Sequence, residues 1–226
     1  MRVILVGASG ILGTALHNTF SQLSIEVISI GRNSNGSNEF HYCDLKKLDR
    51  IDYSLQKISS VNENDIVIVN SGVIGPISKA VDVNIDDFSE TLKVNAISNL
   101  PIFQSLYKKG ARKYVVISSG AALKNYSGWF GYCISKSLQY GLWESIANDH
   151  PDVKVKLIAP GVLKSEMHSY TDTIDRNEFP DLEKFFQIKE DGSYQDADVS
   201  AKKIMSLFNQ DDFFCSSFEY IDLRKV

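Results

Sequence analysis

The chain has 226 residues, with 24 lysines and arginines against 28 aspartates and glutamates, a formal net charge of −4. At about 150 residues per domain this length suits one large domain with its own core, and so mild an acidic balance argues against a dedicated nucleic-acid partner. Hydrophobic residues at 43% and charged residues at 23% exclude a disordered chain.

Residues 2–6 read as a buried strand, and Leu12, Ala15, Leu16, Thr19, Phe20 and Leu23 then follow one helix face. Residues 25–30 form a second strand and residues 39–43 a short third one. A helix over 46–58 precedes the Ile/Val run of residues 65–70, typical of a strand buried on both faces. A long helix is expected over 86–108, with Phe88, Leu92, Ala96, Phe103 and Leu106 on its apolar stripe. Strand 113–118, helix 130–148 and strand 153–158 follow. The alternation lapses over 162–195, resumes as a helix over 196–208, and closes with an edge strand at 218–223. Strand and helix alternating at this rate means βαβ crossovers and an α/β doubly wound parallel sheet. No repeat, low-complexity tract or linker divides the chain, so a single domain over 1–226 is expected.

Cys43, Cys133 and Cys215 are odd in number, widely spaced and without a C-x-x-C pair, which argues against a disulfide framework or zinc site and for a reducing, cytoplasmic location. His17, His41, His150 and His168 show no ligand spacing, so no metal is expected. The apolar start of the chain is interrupted by Gly7, Ser9, Gly10 and Gly13 and lacks the pattern of a signal peptide. No run of about 18 apolar residues exists, so neither a membrane span nor a membrane partner is expected.

The turn Gly7-Ala8-Ser9-Gly10-Ile11-Leu12-Gly13 lies between the first strand and the first helix. Glycines there let the backbone turn sharply, approach a pyrophosphate and pack helix against strand, while the helix N-terminus offers free N–H groups. A Rossmann-type dinucleotide fold is the expectation, with Gly7, Ser9, Gly10, Ile11, Leu12 and Gly13 at the cofactor. After the second strand, where a carboxylate would bind the ribose hydroxyl of NAD, the chain has Gly31-Arg32-Asn33. Arg32 can pair with a 2′-phosphate, which favours NADP(H) over NAD(H). Asp44, after the third strand, is placed either to contact adenine or to cap the following helix.

Tyr132-Cys133-Ile134-Ser135-Lys136 puts a phenol and an ammonium on one helix face. A nearby cation stabilises phenolate and would bring the tyrosine down toward neutrality, making it a proton donor or acceptor for a carbonyl/alcohol pair. Ser119 ends a strand at the ligand-binding edge, thirteen residues before Tyr132. Asn95 interrupts an apolar stripe between Leu92 and Asn99, and a buried amide needs partners. Structural hydrogen bonds and a relay water both remain open as its reason.

Together these residues resemble the short-chain dehydrogenase/reductase family over residues 2–167. The resemblance takes in the glycine turn, Asn70-Ser71-Gly72 after the fourth strand, Asn95, Ser119, Tyr132, Lys136, and Pro160-Gly161 with Ser165. It implies Tyr132 as general acid/base, Ser119 as the group orienting the substrate oxygen, Lys136 as holder of the nicotinamide ribose, and Asn95 as support of a relay water. It implies cofactor contacts from Asn70, Ser71, Gly72, Pro160, Gly161, Val162 and Ser165 as well, and a homodimer or homotetramer. The glycine spacing is that of the family's extended branch of epimerases and dehydratases. The Ser-to-Tyr interval and the length match its compact branch, and about sixty residues after Gly161 leave little room for a nucleotide-sugar domain. An NADP(H)-dependent reductase of a small carbonyl/alcohol substrate is the expectation. A nucleotide-sugar epimerase/dehydratase-like enzyme and a non-catalytic NADP(H) sensor are the alternatives. The aperiodic stretch 162–195 is expected to lie over the site as a lid; Trp129 and Phe130 line the pocket or belong to core or interface.

Overall fold

The computed structural model describes residues 1–34, 36–165, 179, 181 and 183–226. The β-branched runs become strands β1 (Val3–Val6), β2 (Val27–Gly31), β3 (Glu39–Tyr42), β4 (Ile66–Val69), β5 (Lys113–Ile117), β6 (Lys154–Ala159) and β7 (Phe218–Asp222). Every pairing is parallel, and the spatial order is β3-β2-β1-β4-β5-β6-β7. A parallel sheet needs crossovers, and the helices α1 (Ile11–Gln22), α2 (Leu48–Gln56), α3 (Ile85–Leu92), α4 (Asn99–Lys108), α5 (Phe130–Asp149), α6 (Glu183–Glu190) and α7 (Ala197–Phe208) run between the strands.

Side-chain alternation along the strands divides the core in two. Ile4, Val6, Ile28, Ile30, Val67, Val69, Val116 and Leu157 pack with residues of α2, α4 and α5, including Ile51, Phe103 and Trp143. Val3, Leu5, Ile66, Ile68, Val115 and Ile158 pack on the other face with Leu12, Leu16, Phe20, Ile204 and Leu207 of α1 and α7. Because both faces are covered, the central strands are apolar throughout rather than alternating with polar residues. The result is a single-domain doubly wound α/β fold of the Rossmann type. β7 takes the sheet edge beside β6, where the sequence places it.

Two differences from the sequence reading concern the site. The helix expected over 86–108 is two helices joined by a π-turn at Lys93–Ile97, where Ser98 N donates to Lys93 O, five residues back, at 2.9 Å. The stripe periodicity shows the apolar face but not the extra residue that a π-turn inserts. The segment 162–195 contains helix α6, whose Phe185 and Phe186 are buried among aromatic residues. Within that expected lid, residues 166–178, 180 and 182 lie outside the described residues.

Candidate active site

Strand order reverses between β1 and β4, so the chains leaving their carboxyl ends diverge and open a crevice. Asn70 Nδ2 donates to Gly7 O across this point at 2.7 Å, tying the two exits together. Gly7 has φ +85°, and a Cβ there would stand 2.5 Å from Ser71 Oγ. A Cβ on Gly13 would meet Gly7 O at 2.3 Å, so the helix start can approach the strand only without side chains. Helix α1 has neither a side-chain cap nor an acidic residue in its first turn, which leaves its N-terminal N–H groups for an anion.

The crevice is a cavity of about 800 Å³. Gly7, Ser9, Gly10, Ile11 and Leu12 line it from the first turn, Arg32 from the end of β2 and Asp44 after β3. Asn70, Ser71 and Gly72 line it after β4, and Ser119, Tyr132 and Lys136 from the β5–α5 side. Pro160, Gly161, Val162 and Ser165 close it after β6. Two expected site residues lie off this wall. Gly13 sits behind the turn, and Asn95, fully buried, sits behind the cavity. Arg32 is exposed and pairs with no carboxylate among the described residues. Asp44 also accepts a hydrogen bond from Lys46 N at 3.1 Å in the turn before α2, but Lys47 holds the N-cap position of that helix, so Asp44 does not cap it.

Helix α5 presents Tyr132, Ser135, Lys136, Gln139 and Trp143 on one buried face, the i, i+3, i+4, i+7 spacing of a single stripe. The Ser119 side chain lies beside the Tyr132 phenol and favours its ionised form, while Ala121 N donates to Ser119 Oγ at 3.2 Å. From the neighbouring edge strand Tyr220 Oη donates to Ser119 O at 3.2 Å. Lys136 Nζ donates to Ile117 O at 3.1 Å and to Gln139 Oε1 at 3.2 Å. Asn95 is spent inside the protein: its Oδ1 accepts from Val73 N at 2.8 Å, and its Nδ2 donates to Val73 O at 2.7 Å and Ser135 Oγ at 2.8 Å. Its backbone carbonyl accepts from Gln139 Nε2 at 3.0 Å and Asn99 Nδ2 at 3.2 Å. Of the two reasons left open for this amide, structural hydrogen bonding accounts for every polar atom of the side chain.

Burial dominates the electrostatics. It pushes the Tyr132 phenol above its usual range, opposed by Ser119, so the expected fall toward neutrality is not what the fold produces. Lys136 is pushed down to about 8, again by burial, and keeps its proton at neutral pH. Tyr220 is raised to about 12, by burial and then by the Asp222 charge. Burial likewise raises the Cys133 thiol, which leaves it a packing residue.

The end of the cavity beside Tyr132 is apolar and aromatic. Trp129 packs edge-to-face on Tyr132 at 5.7 Å between ring centroids and against Phe185 of α6 at 4.3 Å. Both line the cavity beside Ile74 and Val162. Phe130 instead turns outward against Phe88. Sequence reasoning missed Ser135, Gln139, Tyr220 and Phe185. Gln139 had a legible signal, a polar residue seven positions after Tyr132 on an otherwise buried stripe; Tyr220 and Phe185 reach the site only through tertiary packing. All three cysteines are free, no group of metal ligands occurs among the described residues, and no described helix is long and apolar enough to cross a membrane.

Comparison with known proteins follows the geometry. A family model described as short chain dehydrogenase matches residues 1–175. Benzil reductase ((S)-benzoin forming) of Bacillus cereus is 28% identical over 93% of this chain and 95% of its own length. Sepiapterin reductase of Xenopus laevis is 34% identical over 70% of this chain and 62% of its own. Both are named as reductases, neither as an epimerase nor as a regulator. Among solved structures, a short-chain dehydrogenase/reductase from Saccharomyces cerevisiae superposes with a TM-score of 0.82 at 19% identity, covering 99% of this chain and 96% of that one. At that identity the likeness speaks for the fold alone.

Proposed function

The chain belongs to the short-chain dehydrogenase family of oxidoreductases, and from that premise we propose that it is an NADP(H)-dependent carbonyl reductase with Tyr132 as its acid. One observation carries the reading: a buried, protonated phenol beside Ser119 and sharing a helix face with the cationic Lys136, all three on the wall of one cavity. The phenol is protonated at neutral pH, the form that donates to a carbonyl oxygen.

The glycine cradle and the uncapped α1 N-terminus fit a dinucleotide pyrophosphate. Gly7, Ser9, Gly10, Ile11, Leu12 and Gly13 form that cradle, with Asn70, Ser71 and Gly72 across the crevice. Arg32 would take the 2′-phosphate and Asp44 the adenine, and Pro160, Gly161, Val162 and Ser165 would border the nicotinamide end. The bound nicotinamide supplies the hydride. Ser119 orients the substrate oxygen, and Tyr132 gives its phenolic proton to that oxygen as negative charge develops there. The Lys136 ammonium stabilises the resulting phenolate, which regains its proton from solvent. Asn95 acts as a positioning residue, holding Val73 and the Ser135 turn behind the pair.

Trp129, Phe185, Ile74 and Val162 suit a flat apolar carbonyl compound, and benzil heads the panel because the Bacillus cereus relative aligns over nearly its whole length. Residues 162–195, represented here by α6, serve as the lid of the single domain over 1–226. Exposed Ile97 of the π-turn, Leu100 of α4, and Ile134 and Leu138 of α5 offer apolar outer surface for homodimer or homotetramer formation. Free thiols suit a cytoplasmic location.

The test is NADPH oxidation with benzil and a carbonyl panel, for wild type and Tyr132→Phe. Loss of the acid should lower kcat by about 10²–10⁴ while NADPH still binds. Undiminished turnover in the variant would refute the acid role.

A further inference from the structure

We propose that Gln139 is the positioning residue for Lys136, its carboxamide clamping the ammonium to the backbone of the π-turn at Asn95. Lys136 is buried without a carboxylate among its described partners, and its nitrogen is held by two acceptors, Ile117 O and Gln139 Oε1. That nitrogen stands 3.7 Å from where a Cβ on Gly72 would lie, at the cavity wall. Only one of its two acceptors therefore comes from a side chain.

The orientation of the Gln139 amide is over-determined. Its Nε2 donates to Asn95 O at 3.0 Å and reaches Asn99 Oδ1 at 3.5 Å. Flipping the group would set its NH₂ against an ammonium and its oxygen against a carbonyl, which loses both contacts. Asn99 is fixed in turn, because its Oδ1 accepts from Trp143 Nε1 at 2.9 Å and its Nδ2 donates to Asn95 O. Gln139, Asn99 and Trp143 are all 0% exposed, so these bonds do not exchange freely with water.

A neutral acceptor has a particular consequence. It fixes the ammonium and favours its charged form, yet leaves the positive charge uncancelled for the phenolate that Tyr132 becomes. A carboxylate in the same place would neutralise it, and a hydrocarbon would leave it underbonded. Among the described residues, the titratable groups acting on the Tyr132 phenol are Cys133 on α5, Tyr126 before that helix and Tyr220 on β7. None carries charge at neutral pH. β5 and the π-turn contribute only the uncharged partners Ile117 O and Asn95.

The positioning itself stands on the geometry, and its catalytic consequence rests on the reductase reading. The experiment follows Lys136 directly, by NMR of the full chain carrying ¹³Cε-labelled lysine, with Lys136→Arg assigning the resonance. In Gln139→Leu the Lys136 midpoint should fall by about one to two units, the worth of one charged hydrogen bond. In Gln139→Glu it should rise by about one unit or more. The alkaline limb of the pH profile of kcat/KM should shift the same way in each variant, with KM for the carbonyl substrate little changed. A merely structural glutamine would change thermal stability without moving the midpoint in opposite directions. Unchanged midpoints in folded Gln139→Leu and Gln139→Glu overturn the proposal. Should the leucine variant not fold, the glutamate variant decides alone, and an unmoved midpoint there overturns it equally. Absence of wild-type turnover on every carbonyl would refute the reductase reading while the midpoints still decide the role of Gln139.

Discussion

Replacing Lys136 by methionine removes a buried ammonium but keeps most of the side chain's volume, so it separates the cost of the charge from the cost of a cavity. Lys136 has a folded pKa of about 8 against an ordinary value of 10.5, and burial is the cause. Both forms of the chain hold the proton at pH 7, yet the folded form holds it unfavourably. The gap of 2.5 pK units corresponds to about 3 kcal/mol of stability forgone for as long as Lys136 is charged. Between pH 8 and 10.5 the unfolded chain binds more protons at this site than the native one, so the Lys136 contribution to stability rises with pH. The recovery amounts to about 1 kcal/mol by pH 9 and about 2–3 kcal/mol by pH 10. Buried tyrosines such as Tyr114 and Tyr132, held above their usual range, act in the opposite sense at higher pH. They are common to both proteins and cancel in the comparison. The unpaired acceptors left at Ile117 and Gln139 in the variant add an offset that does not depend on pH. Urea unfolding of wild type and Lys136→Met at pH 7, 8, 9 and 10 therefore reads the charge alone: wild type should gain on the variant steadily with pH. A difference that stays flat from pH 7 to 10 would show that the ammonium is not held against burial.

The remaining predictions concern the cradle, the cofactor end and the π-turn. Arg32→Ala should weaken NADPH binding by about ten- to hundredfold, the loss of one or two charge-assisted hydrogen bonds, and leave NADH nearly unchanged by calorimetry. Equal losses for the two cofactors would refute the phosphate contact. Gly13→Ala places a methyl 2.3 Å from Gly7 O, a backbone atom that cannot rotate away. It should cost about 1–3 kcal/mol in urea unfolding and weaken NADPH binding, and wild-type values for both would refute the close-approach argument. Asn95→Ala strips partners from both backbone groups of Val73 and from Ser135. It should lower stability by about 3 kcal/mol or more, and a melting temperature within a degree or two of wild type would contradict the staple role.

The central strands were legible because each is buried on both faces and so reads as a short apolar run. Residues 65–70 and 153–158 could hardly be anything else between helical segments. The glycine turn was legible for a related reason: it is local, and its chemistry lies in the backbone. Helix 86–108 was only half legible. A π-turn keeps the apolar stripe running on either side while displacing a single residue, and nothing in the spacing of Phe88, Leu92, Phe103 and Leu106 reports it. The aperiodic reading of 162–195 missed α6 because that short helix buries little more than Phe185 and Phe186, too few positions to set a period.

The site shows the same limit at the level of chemistry. Tyr132, Lys136 and Ser119 are recognisable from type and spacing, but the direction of their proton affinities depends on what surrounds them. Position alone suggested that a cation four residues away would draw the phenol down. In the folded chain both groups are buried, and desolvation acts on each toward its neutral form, raising the phenol and lowering the ammonium. Both groups therefore carry their protons at neutral pH, the phenol above its usual range and the lysine at about 8. On the proposed reductase reading, that is the state from which Tyr132 would donate to a carbonyl oxygen and Lys136 would stabilise the phenolate. The polar residues Asn95, Ser135 and Gln139 make that arrangement affordable to the fold by satisfying one another and the backbone around it. A charged lysine with no carboxylate beside it can persist in the core only while those neutral acceptors stay aligned.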